Sequence, residues 1–255
     1  MFELDTYLQR IGVGARPAPT LWAMHRAHVT RIPFENLDSY RGAPVSLQTE
    51  AIAKKLVDQR RGGYCFEHNL LFKSALEAIG GRVEPLLARV RNGQPPLPAG
   101  PLTHLLLRVE LDGEVWHADV GFGQGTLLEP IPFGPGGPYE QAGWRYRVVS
   151  EDELLVLQTA TDPGWRDLYA FSPRPVEPVD IEVSNWFTSS HPDSRFLNRL
   201  LVTRHDDDGS RTTLSDFAGE LTLTVQTPTG SKREPVARDS VPRLLVERFG
   251  LPGDA

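Results

Sequence analysis

At 255 residues, with 40% hydrophobic and 24% charged side chains, the chain has the make-up of a globular protein able to bury about three quarters of its unfolded surface. A net charge of −6 argues against a general nucleic-acid binder, and a single cysteine excludes an intrachain disulfide or a multi-cysteine metal centre and suits a reducing cytoplasm. The start, Met1-Phe2-Glu3-Leu4-Asp5, is acidic where a secretory leader is basic, and no apolar run approaches the ~20 residues of a membrane span, so neither a leader nor a membrane partner is expected.

The first third is patterned as helix. Leu4, Leu8 and Ile11 share a face before Gly12 and Gly14 stop the run. Thr20 is placed to cap a second helix reaching about Val29, and Pro33 blocks its continuation. Ser46 or Thr49 opens a third, through Ile52, Leu56 and Val57. A fourth begins at Cys65, carries Leu71, Ala75 and Ile79, and ends at Gly80-Gly81. From residue 82 the period changes to two. Strands are expected at 82–90 and 102–111, with Asp112-Gly113 turning the chain into a partner strand over 114–120. Further strands are expected at 144–150, 153–158 and 179–183, and Pro- and Gly-rich loops at 93–101 and 130–138. Near the end, 200–204 and 210–214 flank a hairpin turn at Asp206-Asp207-Asp208-Gly209, 220–226 reads as a strand, and Ser240 and Pro242 begin a helix that Gly250 ends. Helices, then strands, then a mixed end predict an α+β fold.

The chemistry centres on Arg61-Gly62-Gly63-Tyr64-Cys65-Phe66-Glu67-His68-Asn69. Glycines admit close approach of backbone and substrate, and a helix start offers free N–H groups and a positive dipole end to a thiolate. A nucleophilic thiol needs a base, and the base needs an orienting group. Of the seven histidines, His104 opens an apolar strand, and a hairpin turning at Asp112-Gly113 pairs residues whose numbers sum to about 225. His104 then faces the neighbourhood of Asp119, provided the register does not slip by one. His68, three residues after Cys65, is a rival base without an evident carboxylate partner. His117 and Asp119, two apart on a strand, could face a metal together, but no third ligand has suitable spacing, and none is expected. Gly121-Phe122-Gly123-Gln124-Gly125 could present backbone N–H groups to a phosphate or acyl oxygen, or form a simple turn.

With Cys65, His104 and Asp119 in this order, the chain resembles the arylamine N-acetyltransferases. Ile32-Pro33-Phe34-Glu35-Asn36-Leu37, Arg61 through Glu67 with Asn69, Thr103-His104-Leu105, Asp119-Val120-Gly121-Phe122-Gly123 and Asn185 through Phe196 carry the likeness. Ser190 stands where the family often has Thr, and His68 where Leu is common. The resemblance implies a helical domain over 1–84 carrying the nucleophile, an antiparallel β-barrel over 85–185 carrying His104 and Asp119, and an α/β lid over 186–255, around a core like that of cysteine proteases. It implies acetyl-CoA as donor, small aromatic amines, hydroxylamines or hydrazines as acceptors, ping-pong transfer through Cys65, and no metal. Thr103, Gly121, Phe122 and Gly123 would border the CoA thioester, Phe34 and Phe196 the acceptor, and Arg10 and Glu35 would form a supporting buried ion pair. A soluble cytoplasmic monomer or homodimer is expected. An amide synthase releasing a polyketide from a carrier thioester would keep the same three residues. A thiol peptidase and a chemically inert binding module remain alternatives from other classes.

Overall fold

The protein is described from a computed structural model covering residues 2–91, 93, 100–216 and 219–253. Most of the Pro- and Gly-rich stretch 93–101 lies outside the described residues.

Helix α1 (Leu4–Ile11) ends at Gly12, whose φ of 72° is left-handed. Helix α2 (Leu21–Arg31) starts at Thr20, whose hydroxyl oxygen accepts the Ala23 N–H at 3.2 Å. A two-residue strand β1 (Phe34–Glu35) and a single turn α3 (Leu37–Tyr40) follow. Helix α4 (Thr49–Ala53) runs on as a π-helical turn, Lys54–Asp58, before α5 (Cys65–Ala78) begins at the thiol itself.

The middle of the chain is an eight-stranded antiparallel sheet curled into a nearly closed barrel. Its strands are β2 (Arg82–Val90), β3 (His104–Leu111), β4 (Glu114–Ala118), β5 (Ile131–Pro132), β6 (Gly136–Gln141), β7 (Trp144–Glu151), β8 (Leu154–Ala160) and β9 (Trp165–Phe171), in the spatial order β5-β4-β3-β2-β9-β8-β7-β6. The expected hairpin forms in the expected register. Asp112 and Gly113 both have positive φ, and Leu107 pairs with Ala118 as Leu111 does with Glu114. Helices α6 (Pro178–Ser190) and α7 (Arg195–Asn198) lead to β10 (Leu201–His205), β11 (Arg211–Ser215), β12 (Thr222–Thr227) and β13 (Gly230–Pro235), and the chain closes with α8 (Val241–Phe249) and its left-handed cap Gly250. These strands form a second antiparallel sheet whose outer member is β1, paired to β10 through Phe34–Thr203 and Glu35–Val202.

Three expectations need correction. The strand expected at 179–183 is the start of α6. Pro178 occupies its first turn and the Asp180 carboxylate reaches back to the Glu177 N–H, a helix-start arrangement that overrides the alternation of Val179, Ile181 and Val183. Only Ile181 of the three is buried. The loop expected at 130–138 contains β5 and β6. They are the two edges of the barrel sheet, where Pro132 and Pro138 disrupt no central ladder. Strand β9 was not expected, because its first half, Trp165-Arg166-Asp167, lacks apolar alternation. The boundary expected between 185 and 186 falls inside α6, and the C-terminal sheet takes its edge strand from the N-terminal third.

Period-2 geometry divides the chemistry between two sides of β3. Leu107 and Val109 pack with Leu8, Met24, Leu71 and Phe72 of the helical layer, whereas Leu106 packs with Tyr146, Leu157 and Tyr169 inside the barrel. A third cluster, including Leu200, Val202, Leu214, Leu223 and Phe249, fills the C-terminal sheet and α8. Among the described residues no helix is long and apolar enough to cross a membrane.

Candidate active site

Missing side chains bring the pieces together. A Cβ on Gly62 would lie 2.1 Å from the Pro33 carbonyl oxygen, and one on Gly121 would lie 2.9 Å from the Cys65 Cα. Only glycine permits these approaches. The first seats β1 beside the loop entering α5, where the Glu35 N–H donates to the Gly63 carbonyl at 2.7 Å. The second docks the end of the β3–β4 hairpin on the first turn of α5. This is the docking that residue spacing could not supply.

At that junction His104 Nε2 donates to Asp119 Oδ2 at 2.8 Å, with both side chains buried. Asp119 is held by three further donors. The Tyr169 hydroxyl reaches Oδ2 at 2.8 Å, while Asn69 Nδ2 and the Gly121 N–H reach Oδ1 at 3.1 and 3.0 Å. Burial alone would raise the carboxyl, but His104 and these bonds hold it well below the usual carboxylate range. Burial likewise opposes the His104 cation. The Asp119 charge and hydrogen bond, together with hydrogen bonding to Cys65, outweigh it and push His104 up to about 9. With Nε2 committed to Asp119, Nδ1 is the nitrogen left for the thiol. The Cys65 Sγ also lies 3.5 Å from the Thr103 carbonyl oxygen.

Charges behind Cys65 differ from the expected pair. Arg10 does not meet Glu35. Its Nε donates to the Leu56 carbonyl and its Nη1 to the Arg31 carbonyl, and burial with Arg60 nearby lowers it to about 10. Glu35 pairs with Arg61 at 2.9 Å, and Arg61 with Asp38 at 2.7 Å. Lys55, on the π-helical turn, bridges Asp38 and Glu67, each at 2.7 Å. Glu67 Oε2 then accepts the Tyr64 N–H at 3.0 Å and closes the network on the helix start. Burial raises Glu67 to about 7 against the pull of Lys55. The sequence placed the carboxylate correctly but not its cation, which stands directly before Gly62.

Phe34 and Phe196 pack edge to face with centroids 6.0 Å apart, in the same apolar cluster as Cys65, Tyr64 and Leu105. Phe122 sets its ring 4.9 Å from His104, and the Gly123 carbonyl accepts from His205 Nε2 at 2.7 Å. His68 is turned away from the base role. Its Nε2 donates to the Pro33 carbonyl, its Nδ1 accepts from His28 Nε2 at 2.8 Å, and burial lowers it to about 4. Its ring lies nearly parallel to Phe34 and so backs that wall of the cluster. His117 and Asp119 do share a face, but they are joined through the Tyr169 hydroxyl. Asn69, Tyr169, Lys55 and Arg61 had no role assigned from the sequence. Asn69 lies one helical turn after Cys65, a spacing that could have identified it.

The buried histidines make stability acid-sensitive. Burial lowers His25, His68 and His117 to about 4 and His205 to about 3, and depresses His28 well below its ordinary value. Unfolding therefore takes up protons between those values and ~6.5, so the stabilisation is complete above ~6.5 and lost as pH falls. His25, His68, His117 and His205 each account for about 2 kcal/mol between pH 7 and 5, and His28 acts in the same direction, whereas Glu67, raised to about 7, offsets about one of them. His104 has the opposite sign: its contribution is complete below ~6.5 and lost as pH rises through 9. Urea titrations should give a stability slope near pH 5.5 corresponding to uptake of about three or more protons on unfolding. A flat profile between pH 7 and 5 would contradict the neutral, buried assignment.

An N-acetyltransferase family model matches residues 18–254. The arylamine N-acetyltransferase of Mycolicibacterium smegmatis is 42% identical over 216 residues, covering 81% of this chain and 78% of the relative. The chain belongs to the arylamine N-acetyltransferase family. A Salmonella typhimurium relative, named arylamine N-acetyltransferase / N-hydroxyarylamine O-acetyltransferase, is 37% identical over 255 residues, covering 97% of this chain and 88% of its own length. The structure of Mycobacterium marinum arylamine N-acetyltransferase in complex with CoA superposes with a TM-score of 0.90 at 37% identity, covering 98% of this chain and 93% of that one. An arylamine N-acetyltransferase is an acyltransferase, and the α+β architecture expected from the sequence is that of these relatives.

Proposed function

We propose that the protein moves an acetyl group from acetyl-CoA to an arylamine, arylhydroxylamine or hydrazine through a thioester on Cys65. The observation that carries this reading is the four-donor hold on Asp119. It fixes His104 by Nε2 and keeps the ring cationic beside the thiol.

Cys65 attacks the acetyl carbonyl as a thiolate paired with the His104 imidazolium. The carbon–sulfur bond to CoA breaks, and His104 gives its proton to the departing CoA sulfur. The amine then attacks the Cys65 thioester, neutral His104 takes the proton the amine sheds, and the amide leaves with the thiolate–imidazolium pair restored. Asp119 stabilises the imidazolium without accepting its proton. Thr103, Gly121, Phe122 and Gly123 border the thioester, and Phe34 and Phe196 form the aromatic wall for the acceptor. The two activities for which the Salmonella typhimurium relative is named and the CoA complex of the Mycobacterium marinum relative support both substrates.

Intact-mass measurement after mixing with acetyl-CoA alone is expected to find one acetyl group, mapping to Cys65 and discharged by an added arylamine. Absence of the adduct, with product nevertheless formed from both substrates together, would replace the two-step route by direct transfer.

A further inference from the structure

We infer that His25 is a positioning residue for this site: its imidazole ties together the two ends of the 119–128 segment and so sets Asp119 and the glycine-rich wall beside it. The inference rests on the proposed reaction for its functional meaning, though its geometry stands independently.

His25 lies on α2 and is fully buried. Its Nε2 meets the Asp119 backbone N–H at 3.2 Å, and its Nδ1 meets the Leu128 carbonyl at 3.1 Å. An amide N–H only donates and a carbonyl only accepts, so the ring carries its proton on Nδ1 and a lone pair on Nε2. Protonating it would set a ring N–H against the Asp119 N–H and break the clamp. Burial, which lowers the group to about 4 despite the Leu128 bond and Asp119 nearby, keeps it neutral.

The segment needs such a clamp. Between its ends stand Gly121, Gly123 and Gly125, which contribute no side chains to fix their own backbone. Leu128 is itself anchored, because its N–H donates to the Gln141 side-chain oxygen at 2.8 Å on β6. His25 therefore references the Asp119 backbone to both the helical layer and the barrel. Midway along the segment the Gly123 carbonyl is held by His205 from the C-terminal sheet. The His25 ring also packs edge-on to Phe72, which fixes its plane.

The test uses the full-length protein and two readouts that do not involve acetyl-CoA. Nitrogen-15 NMR of the wild-type imidazoles is expected to find His25 as the Nδ1–H tautomer, unchanged between about pH 5.5 and 8. The Nε2–H tautomer, or a titration in that range, would overturn the inference. Iodoacetamide alkylation of Cys65 at neutral pH is expected to slow about tenfold or more in His25→Leu and to recover to within about threefold of wild type in His25→Gln, which offers both an acceptor and a donor. In steady state His25→Leu should lose kcat with little change in KM for acetyl-CoA. Wild-type alkylation in His25→Leu, or no recovery in His25→Gln, would overturn it. If the leucine variant does not fold, the tautomer and the glutamine variant still decide. A wild-type protein that takes no acetyl group would sink the transfer reading instead, leaving the alkylation and NMR outcomes to judge His25.

Discussion

Cys65→Ser is expected to lose more than about a thousandfold in acetyl transfer while melting within a few degrees of wild type. The reason lies in His104 as much as in the sulfur. A ring held near 9 is cationic at neutral pH, which suits a thiolate partner. A serine hydroxyl would need a neutral ring's lone pair to give up its proton, and the Asp119 charge and hydrogen bond, which the variant keeps, still favour the cation. Raising the pH toward 9 should recover a small fraction of the lost rate as His104 discharges, a pattern a simple loss of nucleophilicity would not give. Arylamine-dependent release of CoA measures the effect. Retention of more than about a tenth of the wild-type rate would remove Cys65 from the reaction.

Asp119→Asn is expected to lower kcat/KM by roughly three to four orders of magnitude, the scale seen when a triad carboxylate becomes an amide. All four groups facing Asp119 donate hydrogen bonds. An asparagine must turn its NH2 toward two of them, so one oxygen's worth of donors is left opposed. That mismatch costs about 1–3 kcal/mol of stability, and the His104 cation loses its counter-charge. The signature is therefore double: a lower melting temperature and an alkaline limb of the rate profile that moves down from about 9. Unchanged kinetics in a folded variant would deny Asp119 its role.

How much of this was legible in the sequence depended on whether an interaction was local. The β3–β4 register rests on a two-residue turn placed at Asp112-Gly113, a local assumption that a slip of one residue would undo and that the structure bears out. His104 and Asp119 followed from it. The start of α5 at Cys65 was equally local, with glycines before it and a helical stripe after. What stayed hidden crosses long stretches of chain. The Arg61 partner of Glu35, the Tyr169 hydroxyl on Asp119 and the His25 contact at its backbone each depend on how separate layers dock. The 179–183 error has another cause: alternation of apolar residues suggested a strand, but Pro178 and the Asp180 carboxylate set the backbone conformation first.

The pairing of β1 with β10 has a consequence for how the protein is made. During synthesis, Phe34 and Cys65 leave the ribosome early, but the strand that must lie alongside Phe34 is among the last third to emerge. A nascent or prematurely terminated chain thus carries Cys65 beside an unfinished wall. Completion of the polypeptide itself, through the ladder Phe34–Thr203 and Glu35–Val202, is what supplies the second side of that wall.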